Sequence, residues 1–438
     1  MADPTLQRCD ACRAELPERD ARTSCPSCGG LLSLVHAAPA ERGPALRALF
    51  DARLADASPA HVADVGGAAR ASGVWRFREL IMPGAADGEI VSQPEGNTPL
   101  FHRPAVAAWA GVDGLLLKHD GFNPTGSFKD RGMTVALTQA RRAGARAVAC
   151  ASTGNTSAAL AAYAALAGVP GLVLVPGAQQ VALGKLAQTL AYGARTLLVR
   201  GDFDDCLRLV REGAERLGVY LVNSINPYRI EGQKSVALEV LQQLRWDAPD
   251  WIVLPAGNLG NTSAVGAALR DAVRLGLVDR APRIASVQAA GAAPFALGYR
   301  EGFAAQRRVK AETVATAIKI GDPASWDRAA SVIREFGGVV TEVDDTAILE
   351  AKAAIDAAGI GCEPASAASV AGVRRLAREG VIGRGERVAA ILTGHVLKDP
   401  GTLLDYHRAG RAAPLVNAPV EIDATLDGLA RAIDAVAT

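Results

Sequence analysis

The sequence has no excess of either charge, few aromatic residues and, after its first 30 positions, few cysteines. Lys and Arg number 47 against 46 Asp and Glu, a formal net charge of +1. That balance excludes binding to nucleic acid or a membrane through a broad basic face, and it excludes a long acidic tail. Aromatics are only 5% of the chain, so its 49% hydrophobic content rests on small aliphatic side chains. Such a composition, with 45 glycines, suits helices packed closely on a parallel sheet. The opening residues lack a basic region followed by an apolar core, so no secretory signal is expected. Residues 147–184 carry no charge, a length that would cross a bilayer. Yet Ser152, Thr153, Asn155, Thr156 and Ser157 open that stretch, and Gly168, Pro170 and Gly171 divide it. A buried helix followed by a strand at 172–175 is the expectation, in a cytoplasmic protein with neither membrane nor nucleic acid as partner.

What is present is unevenly placed. Four of the seven cysteines, Cys9, Cys12, Cys25 and Cys28, form two C-x-x-C pairs near the start. Two such turns place four thiolates around one ion, and Gly29 and Gly30 stand where a knuckle needs left-handed backbone. Disulfides or unligated thiols are the alternatives; the spacing and glycine placement favour a structural zinc, since four thiolates leave no open position. The expected organisation is a zinc-ribbon-like segment over 1–36 and a helical linker over 37–92. A core over 93–410 follows, with a smaller subdomain at about 130–222, and then a helical extension over 411–438. Strand and helix signals are expected to alternate from about Trp75, with apolar runs at 148–151, 172–175, 196–199, 251–255, 284–287 and 388–392. The pattern is α/β with parallel sheet. Leu426, Leu429, Ile433 and Val436 predict an amphipathic terminal helix.

Five loops at strand ends concentrate Gly, Ser, Thr, Asn and Pro, where ligands of open α/β sheets bind. Lys129 lies in 124–132 (PTGSFKDRG), where a helix N-terminus disfavours its ammonium form. Residues 256–263 follow a strand and open a helix, an anion cradle that matches neither nucleotide-binding glycine pattern. Residues 152–157 form a second nest, and 223–229 place Arg229 among short polar groups. Thr393 ends the last apolar run. Each feature alone also reads as a solvated charge or a glycine turn. Together they suggest a phosphorylated aldehyde cofactor, pyridoxal phosphate.

The motifs at 95–100 (EGNTPL), 124–132, 152–157 (STGNTS), 223–232 (NSINPYRIEG), 257–261 (GNLGN), 363–368 (EPASAA) and 393–400 (TGHVLKDP) carry a resemblance. In this order the chain resembles the threonine synthase family of fold-type II pyridoxal-phosphate enzymes. The resemblance implies two open twisted α/β domains, preceded here by the knuckle pair. It implies that Lys129 bonds the cofactor's aldehyde carbon and later serves as acid and base. Gly257, Asn258, Leu259, Gly260 and Asn261 would hold the cofactor phosphate, Asn155 its 3-oxygen, and Thr393 would face the ring nitrogen. Ser152, Thr153 and Thr156 resemble binders of the substrate carboxylate. Asn223, Ser224, Arg229 and Asn258 resemble the groups that grip a substrate phosphate.

The implied reaction is that of a carbon–oxygen lyase acting on a phosphate ester: O-phospho-L-homoserine and water give L-threonine and phosphate. A homodimer is implied as well. The competing expectations are a serine or threonine dehydratase, a synthase using O-phosphoserine, and a catalytically silent binding protein. The arginine-bearing loop argues against the dehydratase, which has no phosphate to hold.

Overall fold

The computed structural model describes residues 5–57, 67–177, 183–408 and 415–437. Among them, thirteen strands form three sheets. The ribbon is built from β1 (Thr5–Cys9), β2 (Glu15–Pro17) and β3 (Leu32–His36), with β1 antiparallel to both neighbours. β4 (Leu100–His102) and β5 (Gly114–His119) begin the large sheet. β6 (Ala147–Ala151), β7 (Gly171–Pro176), β8 (Arg195–Val199) and β9 (Val219–Leu221) then form a separate parallel sheet in the order β8-β7-β6-β9. The chain returns through β10 (Trp251–Pro255), β11 (Arg283–Ala289), β12 (Val339–Val343) and β13 (Arg387–Leu392). The large sheet runs β12-β11-β10-β13-β5-β4, parallel except for β4 at its edge.

Every apolar run named from the sequence is a strand or lies within one. β10 is buried at all five positions, as expected of a parallel strand covered on both faces. The uncharged stretch is β6, a helix at Asn155–Ala167 and β7, closed between them by Gly168 in the left-handed conformation. No described helix is long and apolar enough to cross a membrane.

Three details differ from the sequence pattern. The first strand of the large sheet comes at Leu100 rather than soon after Trp75, and short helical turns occupy Trp75–Phe77, Arg78–Ile81 and Asp87–Glu89. Their apolar side chains join the main core, where Trp75 donates its indole N–H to Thr134 Oγ1 at 2.8 Å. Between β7 and β8 a helix spans Leu183–Ala191, its start adjoining residues outside the described set. The terminal helix forms at Leu426–Ala437, and Leu426, Leu429 and Ile433 are exposed, with nothing among the described residues covering them.

Two long helices lie at the centre, Lys129–Arg142 and Pro227–Gln243. They cross at glycines: a Cβ on Gly232 would stand 1.9 Å from the Arg131 carbonyl, and one on Gly132 would stand 2.8 Å from the Arg229 carbonyl. Beside the crossing, Glu239 accepts from Lys118 Nζ at 2.6 Å and from Arg131 at 2.8 and 3.0 Å. Arg131 also grips Asp120 at 2.8 and 2.9 Å. Burial pushes the Glu239 pKa up, but Arg131 and Lys118 outweigh it and hold the carboxylate ionised. These charges tie β5 to both central helices.

Candidate active site

The carboxyl ends of β6, β9, β10 and β13 open on one cavity of about 1550 Å³. Lys129, Ser152, Thr153, Asn155, Thr156, Asn223, Ser224, Arg229, residues 257–261 and Thr393 all line it. Residues named from five separate loops therefore meet in one place. Helices beginning at Lys129, Asn155, Pro227, Gly260 and Pro364 start at its wall or beside it, so positive helix ends converge there. This explains how a chain of net charge +1 builds an anion site: the field is made locally, from backbone.

Lys129 is the first residue of its helix, as its sequence setting implied. Its Nζ lies 4.0 Å from the Phe128 ring centroid and makes no ion pair among the described residues. Burial and the nearby Arg229 guanidinium lower its pKa to about 7, against the opposing pull of Glu363. About half of the amine is thus free at neutral pH, far more than for an ordinary lysine, and the free form is what attacks a carbonyl.

Arg229 is 1% exposed. Its Nη1 donates to the Val222 carbonyl at 3.1 Å, while Nε and Nη2 have no partner among the described residues. Burial lowers its pKa to about 10, with a small opposing effect from Cys150. A buried, half-satisfied guanidinium is costly unless an anion completes it. Asn226 caps its helix, accepting from the amides of Tyr228 and Arg229 at 3.0 and 3.3 Å, and so fixes where the arginine enters.

Across the cavity, Leu259 takes a left-handed φ of 65°, unusual for a side chain branched in this way, just ahead of the helix Gly260–Arg274. That turn points successive amides one way, the geometry of an anion nest. Asn261 Oδ1 there is buried without a partner. Asn258 bridges two loops, donating to Ser224 Oγ and accepting from the Ala324 amide at 2.6 Å. Asn223 pairs both amide atoms with the Ala151 backbone at 3.2 Å, fixing the ends of β6 and β9 together.

The residue roles inferred from sequence omit Glu363. It stands directly before the helix Pro364–Arg378 and accepts from Asn155 Nδ2 at 3.0 and 3.2 Å and from Thr393 Oγ1 at 3.5 Å. Burial raises its pKa, opposed by Asn155, Lys398 and Lys129. Its signal in the sequence was its place before a proline at the head of the 363–368 motif, to which no role had been attached. Gln188 and Lys398 were also missed: Gln188 accepts from Lys398 Nζ and donates to the Thr125 carbonyl at 3.2 Å. In the ribbon, Cys9 and Cys28 Sγ stand 3.5 Å apart and Cys12 and Cys25 Sγ 3.6 Å, with all four within 4.8 Å. Four sulfurs tetrahedral around zinc at ~2.3 Å would be ~3.8 Å apart, whereas a disulfide requires ~2.0 Å.

Residues 91–394 match the family model described as "Pyridoxal-phosphate dependent enzyme". Threonine synthase of Methanosarcina acetivorans is 43% identical over 428 residues, 97% of this chain and 98% of that one. The chain belongs to this family, among its threonine synthases. Threonine synthase of Synechocystis is 48% identical over 337 residues, covering 75% of this chain and 85% of its own. Among solved structures, Escherichia coli threonine synthase superposes with a TM-score of 0.68 at 19% identity, over 98% of this chain and 94% of that one. That likeness extends the shared fold of these synthases across almost the whole chain.

Proposed function

We propose that the chain converts O-phospho-L-homoserine and water into L-threonine and phosphate, using pyridoxal phosphate held in the cavity. The observation that carries this reading is the pair of anion sites around one free amine. The nest at 257–261 and the unsatisfied Arg229 guanidinium flank Lys129. One phosphorylated cofactor needs one such site; a phosphorylated substrate needs the other.

The residues fit the cofactor. Lys129 offers an uncharged amine for its aldehyde carbon, the amides of residues 257–261 a nest for its phosphate, and Asn155 a side-chain amide for its 3-oxygen. Thr393, whose hydroxyl lies 3.0 Å from Ser366 Oγ, offers the ring nitrogen a neutral partner. When bound, pyridoxal phosphate supplies an electron sink for negative charge at substrate carbon. Ser152, Thr153 and Thr156 hold the substrate carboxylate. Arg229, Ser224 and Asn258, with Asn223 bracing the loop, hold its phosphate through departure from the γ-carbon without reorganising. The Lys129 amine, with a pKa near 7, takes the proton from the α-carbon and returns protons along the chain, a task suited to a group poised at working pH. The four cysteine thiolates of the ribbon hold a structural zinc.

The deciding experiment is parallel incubation with O-phosphohomoserine, O-phosphoserine and threonine. Phosphate and threonine in equal amounts from the first substrate are expected. Phosphate release from O-phosphoserine alone, or ammonia from threonine alone, would replace this reading by a neighbouring one.

A further inference from the structure

The ribbon docks on the faces of the catalytic elements that point away from the cavity. Glu18, 1% exposed, follows β2 directly. Its carbonyl accepts from Gln139 Nε2 at 2.6 Å, in the helix that begins with Lys129, and from the hydroxyl of Tyr228, the neighbour of Arg229. Its carboxylate takes both ends of the Arg142 guanidinium, at 3.0 and 3.1 Å. At a third point, Arg328 donates to Asp10 at 2.5 Å and to the Leu32 carbonyl at 2.8 Å. Arg328 belongs to the helix Trp326–Glu335, and the residues just before that helix hold Asn258: the Ala324 amide on its Oδ1 and the Ser325 amide on its carbonyl at 3.3 Å. The ribbon's feet thus stand behind three cavity elements: Glu18 behind the Lys129 and Arg229 helices, and Asp10 behind the segment that holds Asn258.

Those feet depend on the cysteine cluster. The ribbon's own core is Cys9, Leu16, Cys25 and Leu32, of which two are ligand candidates, too little apolar surface to hold three short strands. Within the ribbon, β2 pairs with β1, Leu6 opposite Pro17 and Arg8 opposite Glu15, and β1 ends at Cys9. Asp10 lies between Cys9 and Cys12. Unpinning the cluster would release Glu18 and Asp10 together.

We propose that the metal-loaded cysteine cluster is a strut that sets Arg229 and Asn258 for the substrate's phosphate, with Glu18, Tyr228 and Arg328 as positioning residues. This rests on the reading of Arg229 as a phosphate ligand. The strut acts on the phosphate grip more than on Lys129, because its shortest links reach Tyr228, one residue from Arg229, and the backbone that clamps Asn258. Gln139 and Arg142, by contrast, lie near the far end of the Lys129 helix.

The test uses the full chain with its cofactor, before and after zinc is stripped, together with Cys25→Ser, Tyr228→Phe, Arg328→Ala and Arg229→Ala. Metal content, the cofactor's absorption band, kcat, KM for O-phosphohomoserine and calorimetric binding of inorganic phosphate are read on each. Stripping is expected to raise KM and the phosphate Kd together by about tenfold, the effect of about 1.4 kcal/mol, and zinc to restore both. Cofactor occupancy and kcat should change less than about twofold. Tyr228→Phe, which keeps the metal, should move KM and Kd the same way by about threefold to fivefold, as loss of one hydrogen bond would. Unchanged KM and phosphate Kd in metal-free protein overturn the proposal, as does loss of the cofactor band with KM intact. If the stripped chain or Cys25→Ser unfolds, Tyr228→Phe and Arg328→Ala decide alone, and wild-type phosphate binding in both overturns it. Failure of Arg229→Ala to weaken phosphate binding sinks the underlying reading of Arg229; weakening there with no effect of zinc sinks the strut only.

Discussion

Lys129 and Arg229 are two cations forced into one dry wall, and each carries a cost that a ligand relieves. For Lys129 burial acts first and Arg229 second, and together they bring the amine to about pH 7 from 10.5. The sign follows: lowering pH protonates and disables it, so roughly a tenth is free base at pH 6 and nine tenths at pH 8. Cofactor uptake by the ligand-free chain should therefore accelerate about tenfold between those values, followed by the growth of the visible band; a rise of about a hundredfold would mean an unperturbed amine. Lys129→Ala should leave no label fixed by borohydride. Arg229 yields a second prediction. Its Nε and Nη2 are buried without partners, so Arg229→Met should raise the stability of the ligand-free chain by about 1–3 kcal/mol in urea unfolding. The same change should increase KM for the phosphorylated substrate by roughly tenfold to a hundredfold. Lower stability in Arg229→Met would show that the guanidinium is already satisfied.

At the scale of elements, the crossing of the two central helices decides how far Lys129 and Arg229 stand apart. Gly232→Ala sets a methyl 1.9 Å from the Arg131 carbonyl, a backbone atom that cannot rotate away. The helices must separate, and overpacking of this kind costs roughly 1–3 kcal/mol. Thermal unfolding should shift down accordingly, and kcat/KM should fall beyond what folded fraction explains; wild-type kinetics would show that the spacing is not critical. The strands were readable from sequence because apolar runs such as 251–255 report burial on both faces by themselves. The loops were readable because Gly, Asn and Thr in 152–157 and 257–261 have few uses other than turns and donors. The crossing was not. Gly232 sits in a legible motif, but its partner Arg131 is about a hundred residues away, and no local pattern records that approach. The Lys118–Glu239–Arg131 network escaped for the same reason. Trp75 misled because an apolar pattern does not distinguish a strand from a short helical turn that caps a core.

On the scale of the whole molecule, the two parallel sheets face the cavity from opposite sides, and polar side chains bridge its mouth. Asn155, from the small-sheet side, reaches Glu363; Gln188, also from that side, holds both Lys398 and the Thr125 carbonyl. Net charge has no part in this closure, which is why a composition of +1 was silent about it. Lys398 has its pKa lowered by burial, with Asp130 and Glu363 pulling the other way, so its ammonium relies on the few acceptors it has. Gln188→Ala removes one of them and cuts the link from the small sheet's helix Leu183–Ala191 to the loop ahead of Lys129. Two hydrogen bonds, one to a charged group, correspond to about 2–4 kcal/mol, of which water restores part once they are removed. The expected result is a three- to tenfold fall in kcat/KM with a melting temperature changed by less than ~2 °C, since the hydrophobic cluster shared by the two sheets does not include Gln188 and stays intact. Amide exchange should quicken across 123–128 and leave β10 and β13 unaltered. Faster exchange throughout the large sheet would place Gln188 in the fold's stability instead, and unchanged exchange and kinetics would leave the bridge at Asn155 and Glu363 to hold the two halves together.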